Sequence, residues 1–384
     1  MRYIIIGAGA VGGTIGGCLF QGGHEVVLVA RGAHLDALRR DGLRLATPLG
    51  TEALPIPAVS GPAELELRHD DALILTAKTQ DAEALLAEWA WQPVPAEPDG
   101  PSDSVAAEVI PVACAQNGVA SERFALRRFR HVYGMYVGLP ATHLEPGTVE
   151  AYGVPLAGLL QVGRYPAGTD PMAGRIGEDL TKSRFLAPVS ADVMRWKYAK
   201  LLDNLNNAIE ALCGPEHTGF AAEPRSDDAA ELYHRTRAEG IAALRAAGIA
   251  HASRAEIAEV IGARVRIEQV DGSARSGGSS WQSLTRGTGT IEADFLNGEI
   301  VLLGRVYGVP TPVNEALQRL ANRAAAEHRA PGFMTPAQVL VEAGVPHAQC
   351  GFSSQNAGSG RRVPRRRQGF EPVIGVSGGS GGSP

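Results

Sequence analysis

The stretch Arg2-Tyr3-Ile4-Ile5-Ile6-Gly7-Ala8-Gly9-Ala10-Val11-Gly12 opens the chain with a short apolar run and a G-x-G-x-x-G pattern. A second apolar run, at residues 25–30, follows after a gap of helical length. This is the strand–helix–strand order of a Rossmann unit, in which glycines let the backbone approach a pyrophosphate at a helix N-terminus. We therefore predict that a dinucleotide is bound by Gly7, Ala8, Gly9, Ala10, Val11 and Gly12.

Alternating strand and helix patterns continue through the first half of the chain. Apolar runs and helical stretches follow one another at residues 72–77, 81–91, 109–113, 121–129 and 131–137. Such alternation is typical of an α/β fold with a doubly wound parallel sheet. Glycine-bounded runs at 147–152 and 158–162 predict two strands added to its edge, and one more helix is expected at 171–181.

Long helical patterns dominate beyond about residue 189. They cover residues 191–212, 229–247, 254–267, 291–307 and 313–327. We therefore predict a nucleotide-binding Rossmann domain at 1–185 and an all-helical substrate and catalytic domain at 186–344. Residues 92–107, rich in proline and polar side chains, predict a loop insertion, and residues 345–384, rich in Gly, Ser and Arg, predict a disordered basic tail.

The composition excludes several classes of protein. The 384 residues carry a formal net charge of −5, with 44% hydrophobic and 20% charged residues, which is typical of a globular protein without a membrane span. A net negative charge disfavours a nucleic-acid partner. Four scattered cysteines without a C-x-x-C pair predict a reduced, cytoplasmic protein with no metal site. Eight glycines among the first 23 residues disfavour a signal peptide.

The end of the second predicted strand, Ala30-Arg31, indicates which dinucleotide binds. A site that prefers NAD usually places Asp or Glu here to accept hydrogen bonds from the ribose 2′-hydroxyl, and no carboxylate occurs at this point. Arg31 instead offers a positive fork suited to a 2′-phosphate. We therefore predict NADP(H) as the cofactor, the alternative being that Arg31 is an ordinary exposed arginine.

Two polar residues follow later strands of the predicted sheet. Lys78 comes after the run at 72–77, and Asn117 comes after the run at 109–113. The carboxyl ends of parallel strands share one edge, where open α/β folds bind their ligands. We predict that Lys78 and Asn117 lie at the nucleotide site, with a simple Asn-Gly turn as the alternative for the latter.

A polar stripe marks the helix predicted at 191–212. Spacings of four, four and three residues place on one face Trp196, Lys200, Asn204 and Asn207. Asparagine is a poor helix former and tryptophan is an unusual choice for water, which favours a cleft over a solvated surface. An ammonium in a cleft can protonate a ketone oxygen as hydride arrives at the carbon. We predict that Lys200 is this acid, and Lys197, expected at the surface, is the alternative.

A later segment combines hydroxyl, acidic and amide side chains. Ser279-Ser280-Trp281-Gln282 is followed by Glu292 and Asp294, and Asn297 comes three residues after the second acid. Two acids and an amide beside apolar neighbours are compatible with a ligand site and equally with a charged helix surface. The residues alone leave both interpretations open.

Taken together, these residues resemble the ketopantoate reductase (2-dehydropantoate 2-reductase) family. The resemblance runs in order from Met1 to about Gly344. It rests on the glycine loop, the Lys78 and Asn117 segments, the Lys200-x-x-x-Asn204 helix and the block 280–298. It implies an N-terminal Rossmann domain, a C-terminal helical domain and an active site in the cleft between them.

On the cofactor side, the resemblance implies that Lys78 and Arg31 bind the adenosine end of NADPH. Asn117 would touch both cofactor and substrate. Glu292 would contact the cofactor and the reacting centre, and Asp294 would hold this acidic segment in place.

On the substrate side, the resemblance implies that Lys200 donates the proton and that Asn204 and Ser280 bind the substrate. The family helix usually reads Lys-x-x-x-Asn-x-x-x-Asn, but Ala208 occupies the second asparagine position here. Asn207 lies beside it, and a shift of one residue turns a side chain by about 100° around a helix. Asn207 is therefore a candidate substrate ligand, and the departure favours a related substrate as the alternative.

The implied reaction is NADPH-dependent reduction of the C2 ketone of a small 2-oxo acid, with ketopantoate to pantoate as the leading case. A related reductase that acts on another 2-oxo acid or an imine is the alternative among enzymes. A regulator that senses NADP and engages a partner through its arginine-rich tail is the alternative outside enzymes. Neither nucleic acid nor membrane is expected as a partner, and the formation of a homodimer stays open.

Overall fold

The computed structural model describes residues 1–96, 102–215, 226–272 and 277–345. Within these ranges the strands are β1 (Arg2–Ile6), β2 (Glu25–Val29), β3 (Leu43–Thr47), β4 (Gly50–Leu54), β5 (Ala58–Val59), β6 (Asp71–Leu75), β7 (Pro93–Val94), β8 (Ser104–Val105), β9 (Val112–Cys114), β10 (Val132–Gly138), β11 (Ala141–Thr142), β12 (Thr148–Ala151), β13 (Gly153–Pro155), β14 (Gly158–Arg164), β15 (Phe185–Leu186) and β16 (Val265–Ile267). The helices are α1 (Ala10–Gln21), α2 (Gly32–Asp41), α3 (Thr79–Ala90), α4 (Ala106–Val109), α5 (Ser121–Leu126), α6 (Pro171–Lys182), α7 (Val193–Asn204), α8 (Asn206–Cys213), α9 (Asp227–Ala246), α10 (Arg254–Ile261), α11 (Ser279–Thr285), α12 (Asn297–Tyr307), α13 (Pro312–Ala326) and α14 (Pro336–Glu342).

The main sheet has eight strands in the order β15-β14-β10-β9-β6-β1-β2-β5. Its neighbouring strands run parallel except β10 and β14, which are antiparallel. Side chains of α1 and α6 form an apolar core with one face, and those of α3, α4 and α5 form a second core with the other. Burial on both faces explains why β1 reads as an unbroken apolar run. The predicted α/β, doubly wound fold is confirmed.

A second sheet, in the order β11-β12-β3-β4, lies on the far side of α1. The predicted edge strand at 158–162 is β14 of the main sheet, but the one at 147–152 was assigned wrongly, since β12 pairs in parallel with β3. Helix α1 fits between the two sheets because its glycines remove side chains on both sides. A methyl group at Gly16 would lie 2.7 Å from Leu28, and one at Gly13 would lie 2.6 Å from Val149.

The C-terminal part is helical, as predicted, with three local differences. The helix predicted at 191–212 is divided at Leu205 into α7 and α8. The Asn297 side-chain amide donates to the Leu205 carbonyl at 3.1 Å, and a side chain that enters a helix in this way is a known cause of a break. The helix predicted at 254–267 ends at Ile261, after which β16 pairs antiparallel with β13. The one predicted at 291–307 starts as a 3-10 turn, Glu292–Phe295.

The predicted insertion and tail fall at the limits of the described residues. The ends of the 92–107 segment are not a simple loop, because β7 pairs antiparallel with β8. Residues 97–101 of this segment and 346–384 of the tail lie outside the described residues. Met1–His347 form one compact unit, and a domain division near residue 185 remains our proposal. No helix within the described ranges is long and apolar enough to cross a membrane.

Candidate active site

A cavity of about 490 Å³ opens at the carboxyl edge of the main sheet. Its sheet-side wall is formed where β1, β2, β6 and β9 end, and its other wall comes from the segment around α11 and the 3-10 turn that precedes α12. The residues that line the sheet side include Gly7, Ala8, Gly9, Ala10, Val11, Arg31, His34, Lys78, Gln116, Asn117 and His143. Those on the helical side are Ser279, Gln282, Arg286, Thr288, Thr290 and Glu292.

The glycine loop makes the tight turn that its sequence predicts. Gly7 has φ +107°, and a methyl group there would lie 2.6 Å from the Ala77 backbone nitrogen. The backbone N–H groups of Gly7 and Ala8 both donate to the Val29 carbonyl, at 3.1 and 3.0 Å. No side chain caps the N-terminus of α1 at Gly9, so the first N–H groups of this helix are available to an anion.

Arg31 lies at the rim of the cavity, directly before α2. Its side chain is 87% exposed, and its guanidinium is 3.4 Å from the Asp81 carboxylate of α3. An exposed ion pair of this kind contributes little and is easily exchanged for another anion. The position therefore suits a second phosphate group, and Asp81 is a partner that the sequence did not indicate.

Lys78 and Glu292 connect the two walls of the cavity. The Lys78 ammonium contacts the hydroxyl of Ser283 on α11, and burial lowers the pKa of Lys78. The buried Glu292 carboxylate accepts hydrogen bonds from the Thr79 backbone N–H (3.0 Å) and the Thr79 hydroxyl (2.6 Å), at the start of α3. A negative charge at a helix N-terminus is favourable, so Glu292 has a structural role in addition to facing the cavity.

Two amide side chains follow β9 at the cavity. Asn117 is half-buried and lines the wall, as predicted from its place after a strand. Gln116 is buried, and neither its amide nitrogen nor its amide oxygen has a hydrogen-bond partner among the described residues. Unpartnered buried amides are costly, so a ligand that pairs with Gln116 would be stabilised.

Two histidines that the sequence did not indicate contact each other in the wall, with ring centroids 4.3 Å apart. The Gly147 N–H donates to His34 Nδ1 at 2.8 Å, so the His34 proton lies on Nε2, which donates to the Ala8 carbonyl at 2.8 Å. His143 Nδ1 donates to the Thr148 carbonyl at 2.9 Å. Burial lowers the pKa of His34 and lowers that of His143 to about 4. Both rings are therefore neutral near pH 7.

The polar stripe of α7 and α8 is only partly joined to this cavity. Lys200 is half-buried, and Asn204 and Asn207 are buried, but none of the three lines the cavity. Asn207 Nδ2 donates to the hydroxyl of Ser279, a cavity residue, at 3.2 Å. Ala208 packs in an apolar core. Asn207, rather than Ala208, therefore contacts the cavity wall.

One expectation is corrected, and the place of one candidate residue is refined. Lys197 is not at the surface: its side chain is 1% exposed, forms an ion pair with Glu122 and donates to the Cys114 carbonyl at 3.1 Å. It lies on the side of α7 that packs against the sheet, where only a paired ammonium can be buried. Ser280 is buried but does not line the cavity, whereas its neighbour Ser279 does.

The acidic segment is held by α13. Asp294 accepts hydrogen bonds from the side-chain amides of Gln318 (2.8 Å) and Asn322 (2.7 Å), which agrees with the positioning role expected of it. Asn297 is buried and donates to Asn314 as well as to Leu205. This residue therefore organises the helices and does not line the cavity.

Comparison with known proteins gives consistent results over most of the chain. Residues 3–166 match the family model described as ketopantoate reductase PanE/ApbA, and residues 192–325 match its C-terminal counterpart. A 2-dehydropantoate 2-reductase of Archaeoglobus fulgidus is 28% identical over 323 residues, which cover 83% of this chain and 96% of that protein.

Two solved structures show the same fold. A PanE/ApbA family ketopantoate reductase from Ralstonia eutropha JMP134 aligns with a TM-score of 0.67 at 25% identity, covering 85% of this chain and 99% of that one. A D-mandelate dehydrogenase, solved with NADH and anilino(oxo)acetate, aligns with a TM-score of 0.69 at 21% identity, with the same coverage of both chains.

Proposed function

We propose, because the chain belongs to the ketopantoate reductase family, that it reduces the C2 ketone of a small 2-oxo acid with NADPH, ketopantoate being the leading substrate. The observation that carries this proposal is the cavity at the carboxyl edge of the sheet. It combines a glycine loop at a helix N-terminus with Arg31, Lys78 and Asn117, which is the arrangement expected for a dinucleotide.

The residues present fit a nicotinamide dinucleotide. The uncapped N-terminus of α1 would hold the pyrophosphate, and Arg31 at the rim would hold the 2′-phosphate that distinguishes NADPH from NADH. The unpartnered amide of Gln116 supports the presence of a polar ligand in this cavity. When bound, NADPH supplies the hydride, and the protein contributes orientation and charge stabilisation.

Lys200 is the proposed proton donor. Its ammonium would donate a proton to the ketone oxygen while hydride adds to C2, so that the alcohol forms and a neutral amine remains. Asn204, Asn207 and Ser280 are the proposed substrate ligands. The contact between Asn207 and Ser279 supports this proposal, since it links the stripe to the wall of the cavity.

Replacement of Lys200 tests this proposal. We expect Lys200→Ala to lower kcat for ketopantoate by at least ~10²-fold, the usual contribution of a general acid, while the dissociation constant of NADPH stays unchanged. The measurement is NADPH oxidation at saturating cofactor, together with a fluorescence titration of NADPH. Lys182→Ala, which changes an exposed lysine of α6, serves as the control and should be as active as the wild type. Full activity of Lys200→Ala would refute the assignment.

The replacement of the second family asparagine by Ala208 favours one further candidate, a reductase of a different 2-oxo acid. A panel of 2-oxo acids assayed with NADPH and with NADH separates the two candidates, because the preferred substrate has the highest kcat/KM. If ketopantoate ranks below another acid, the leading substrate is wrong while the reaction class stands. If no oxo acid is reduced, the proposal of a reductase fails.

A further inference from the structure

Arg286 directly follows α11 on the helical side of the cavity and pairs with no carboxylate of the described residues. Its guanidinium lines the cavity, its Nε is buried without a hydrogen-bond partner, and within the described ranges it forms no ion pair. Burial lowers the pKa of Arg286, and no nearby acid opposes this. A partly dehydrated guanidinium without a carboxylate is costly, which makes it a strong candidate for an anionic ligand.

Three groups of the cavity wall lie within range of the charge of Arg286. Its positive charge acts on Lys78, His34 and His143, and it lowers the pKa of each of these groups. The carboxylates that face the cavity are already engaged, Glu292 with Thr79 and Asp81 with Arg31. Glu292 and Asp81 act as counter-charges for Lys78, whereas Arg286 has no carboxylate partner among the described residues.

The glycine loop lies across the same cavity. His34, on which the charge of Arg286 acts, donates to the Ala8 carbonyl of that loop, and α1 begins there without a side-chain cap. Gln116, 4% exposed, adds an unpartnered amide to the same space. Donors from the sheet side and a fork-shaped cation from the helical side thus converge, which is the geometry suited to a group with many phosphate oxygens.

We propose that Arg286 binds the pyrophosphate of the dinucleotide from the helical side, opposite the N-terminus of α1. This inference rests on the proposed function and assigns a phosphate-binding role to a residue outside the Rossmann part. The 2′-phosphate is a less favoured ligand for Arg286, because Arg31 at the rim is already the proposed partner of that group. The substrate carboxylate is also a less favoured ligand for Arg286. The proposed substrate residues Lys200, Asn204 and Asn207 do not line the cavity that contains Arg286.

The test compares two dinucleotides that share the pyrophosphate and differ in the 2′-phosphate. We expect Arg286→Gln to raise the dissociation constants of NADPH and NADH by the same factor, about tenfold or more, because a charged hydrogen bond is lost. KM for the oxo acid at saturating cofactor should not change. Arg286→Lys, which keeps the charge but not the fork, should recover part of the loss. Fluorescence titration measures binding without depending on turnover.

Two reference variants make the outcomes distinct. Arg305→Gln changes an exposed arginine of α12 and should bind both dinucleotides like the wild type, whereas Arg31→Gln should weaken NADPH alone. A loss confined to NADPH in Arg286→Gln, a change confined to KM for the oxo acid, or no change at all would each overturn the proposal. Thermal unfolding verifies that each variant is folded. If the wild type binds neither dinucleotide, the proposed function itself fails.

Discussion

Among single residues, His143 shows how the cavity wall affects stability. Its ring is buried against His34 and donates to the Thr148 carbonyl, and burial lowers its pKa from about 6.5 to about 4. The folded protein therefore keeps this imidazole neutral at acidities that protonate it in the unfolded chain. The lowered pKa has no effect on stability above about pH 6.5 and destabilises the fold increasingly as the pH falls toward 4.

We expect this linkage to be measurable as an acid-dependent loss of stability. From pH 7 to pH 4.5 the contribution of His143 should fall by roughly 2 kcal/mol, since one pKa unit corresponds to about 1.4 kcal/mol. Urea unfolding of the wild type and of His143→Gln at both pH values gives this contribution as the difference between their losses. Equal losses in the two proteins would contradict the assigned pKa.

Residues of the candidate site could be predicted from the sequence where they belong to a recognisable sequence pattern. Most of the residues that follow a strand or form the glycine motif line the cavity, among them Gly7, Gly9, Arg31, Lys78 and Asn117, whereas Gly12 does not. Three cavity residues that were missed have no such signal: His34, His143 and Arg286. A lone histidine or arginine reaches a site through the tertiary fold, so its position in the chain carries little information.

At the scale of elements, helix α1 depends on two different kinds of glycine. Gly12 is packed so tightly that a methyl group would lie 2.1 Å from the Gly7 carbonyl oxygen and 2.4 Å from the Thr76 hydroxyl. Gly9 has open space around its Cβ position and a φ of −70°, which any residue can adopt. One glycine is therefore required by the fold, and the other can be required only by a ligand.

This difference predicts opposite phenotypes for two equal substitutions. Gly12→Ala should lower the free energy of unfolding by about 1–3 kcal/mol through overpacking, because the neighbouring backbone cannot move away. Gly9→Ala should change stability by less than about 0.5 kcal/mol and should weaken NADPH binding, because the pyrophosphate approaches the loop closely. Thermal unfolding and NADPH titration of both variants are the measurements. A stable, tightly binding Gly12→Ala protein would be inconsistent with this packing.

Helices and strands could be predicted from the sequence where the periodic apolar pattern extends over many residues. Short strands were harder to predict. The helix expected at 229–247 is α9 (Asp227–Ala246), and the one expected at 313–327 is α13 (Pro312–Ala326). β3 and β4 were missed, since each has only five residues and four of the five in β4 face solvent. The break at Leu205 depends on Asn297, far along the chain, so no local pattern could reveal it.

In the molecule as a whole, buried polar contacts join the sheet to the helical part. Lys197 of α7 pairs with Glu122 of α5 and donates to the carbonyl of Cys114, the last residue of β9. Glu292 accepts from Thr79 at the start of α3. Asn117 follows β9 closely, so these contacts also fix the edge that forms the cavity.

Breaking the Lys197–Glu122 pair should destabilise the protein strongly. Lys197→Met leaves an unpaired carboxylate in the core, and the expected loss is about 3–5 kcal/mol. The double variant Lys197→Met/Glu122→Gln should recover much of it, since no charge is then buried. Urea unfolding measures both, and Lys182→Met, at an exposed ion pair of α6, should cost less than about 1 kcal/mol. A single variant as stable as the wild type would show that the pair contributes nothing.

The order of the two parts along the chain was predictable, because alternation gives way to long helices near residue 189. The contacts between the two parts could not be predicted. Lys197, which was expected at the surface, is an example. A lysine on an amphipathic helix is usually solvated, and only the position of Glu122 in the fold allows its burial.

The tight fit of α1 between two sheets limits how this protein can be re-engineered. Larger side chains at Gly13 and Gly16 would collide with Val149 and Leu28, so the scaffold beneath the glycine loop tolerates almost no variation. Mutant libraries that aim at a new coenzyme preference should therefore hold those codons constant. The exposed rim at Arg31 is the better place for such variation.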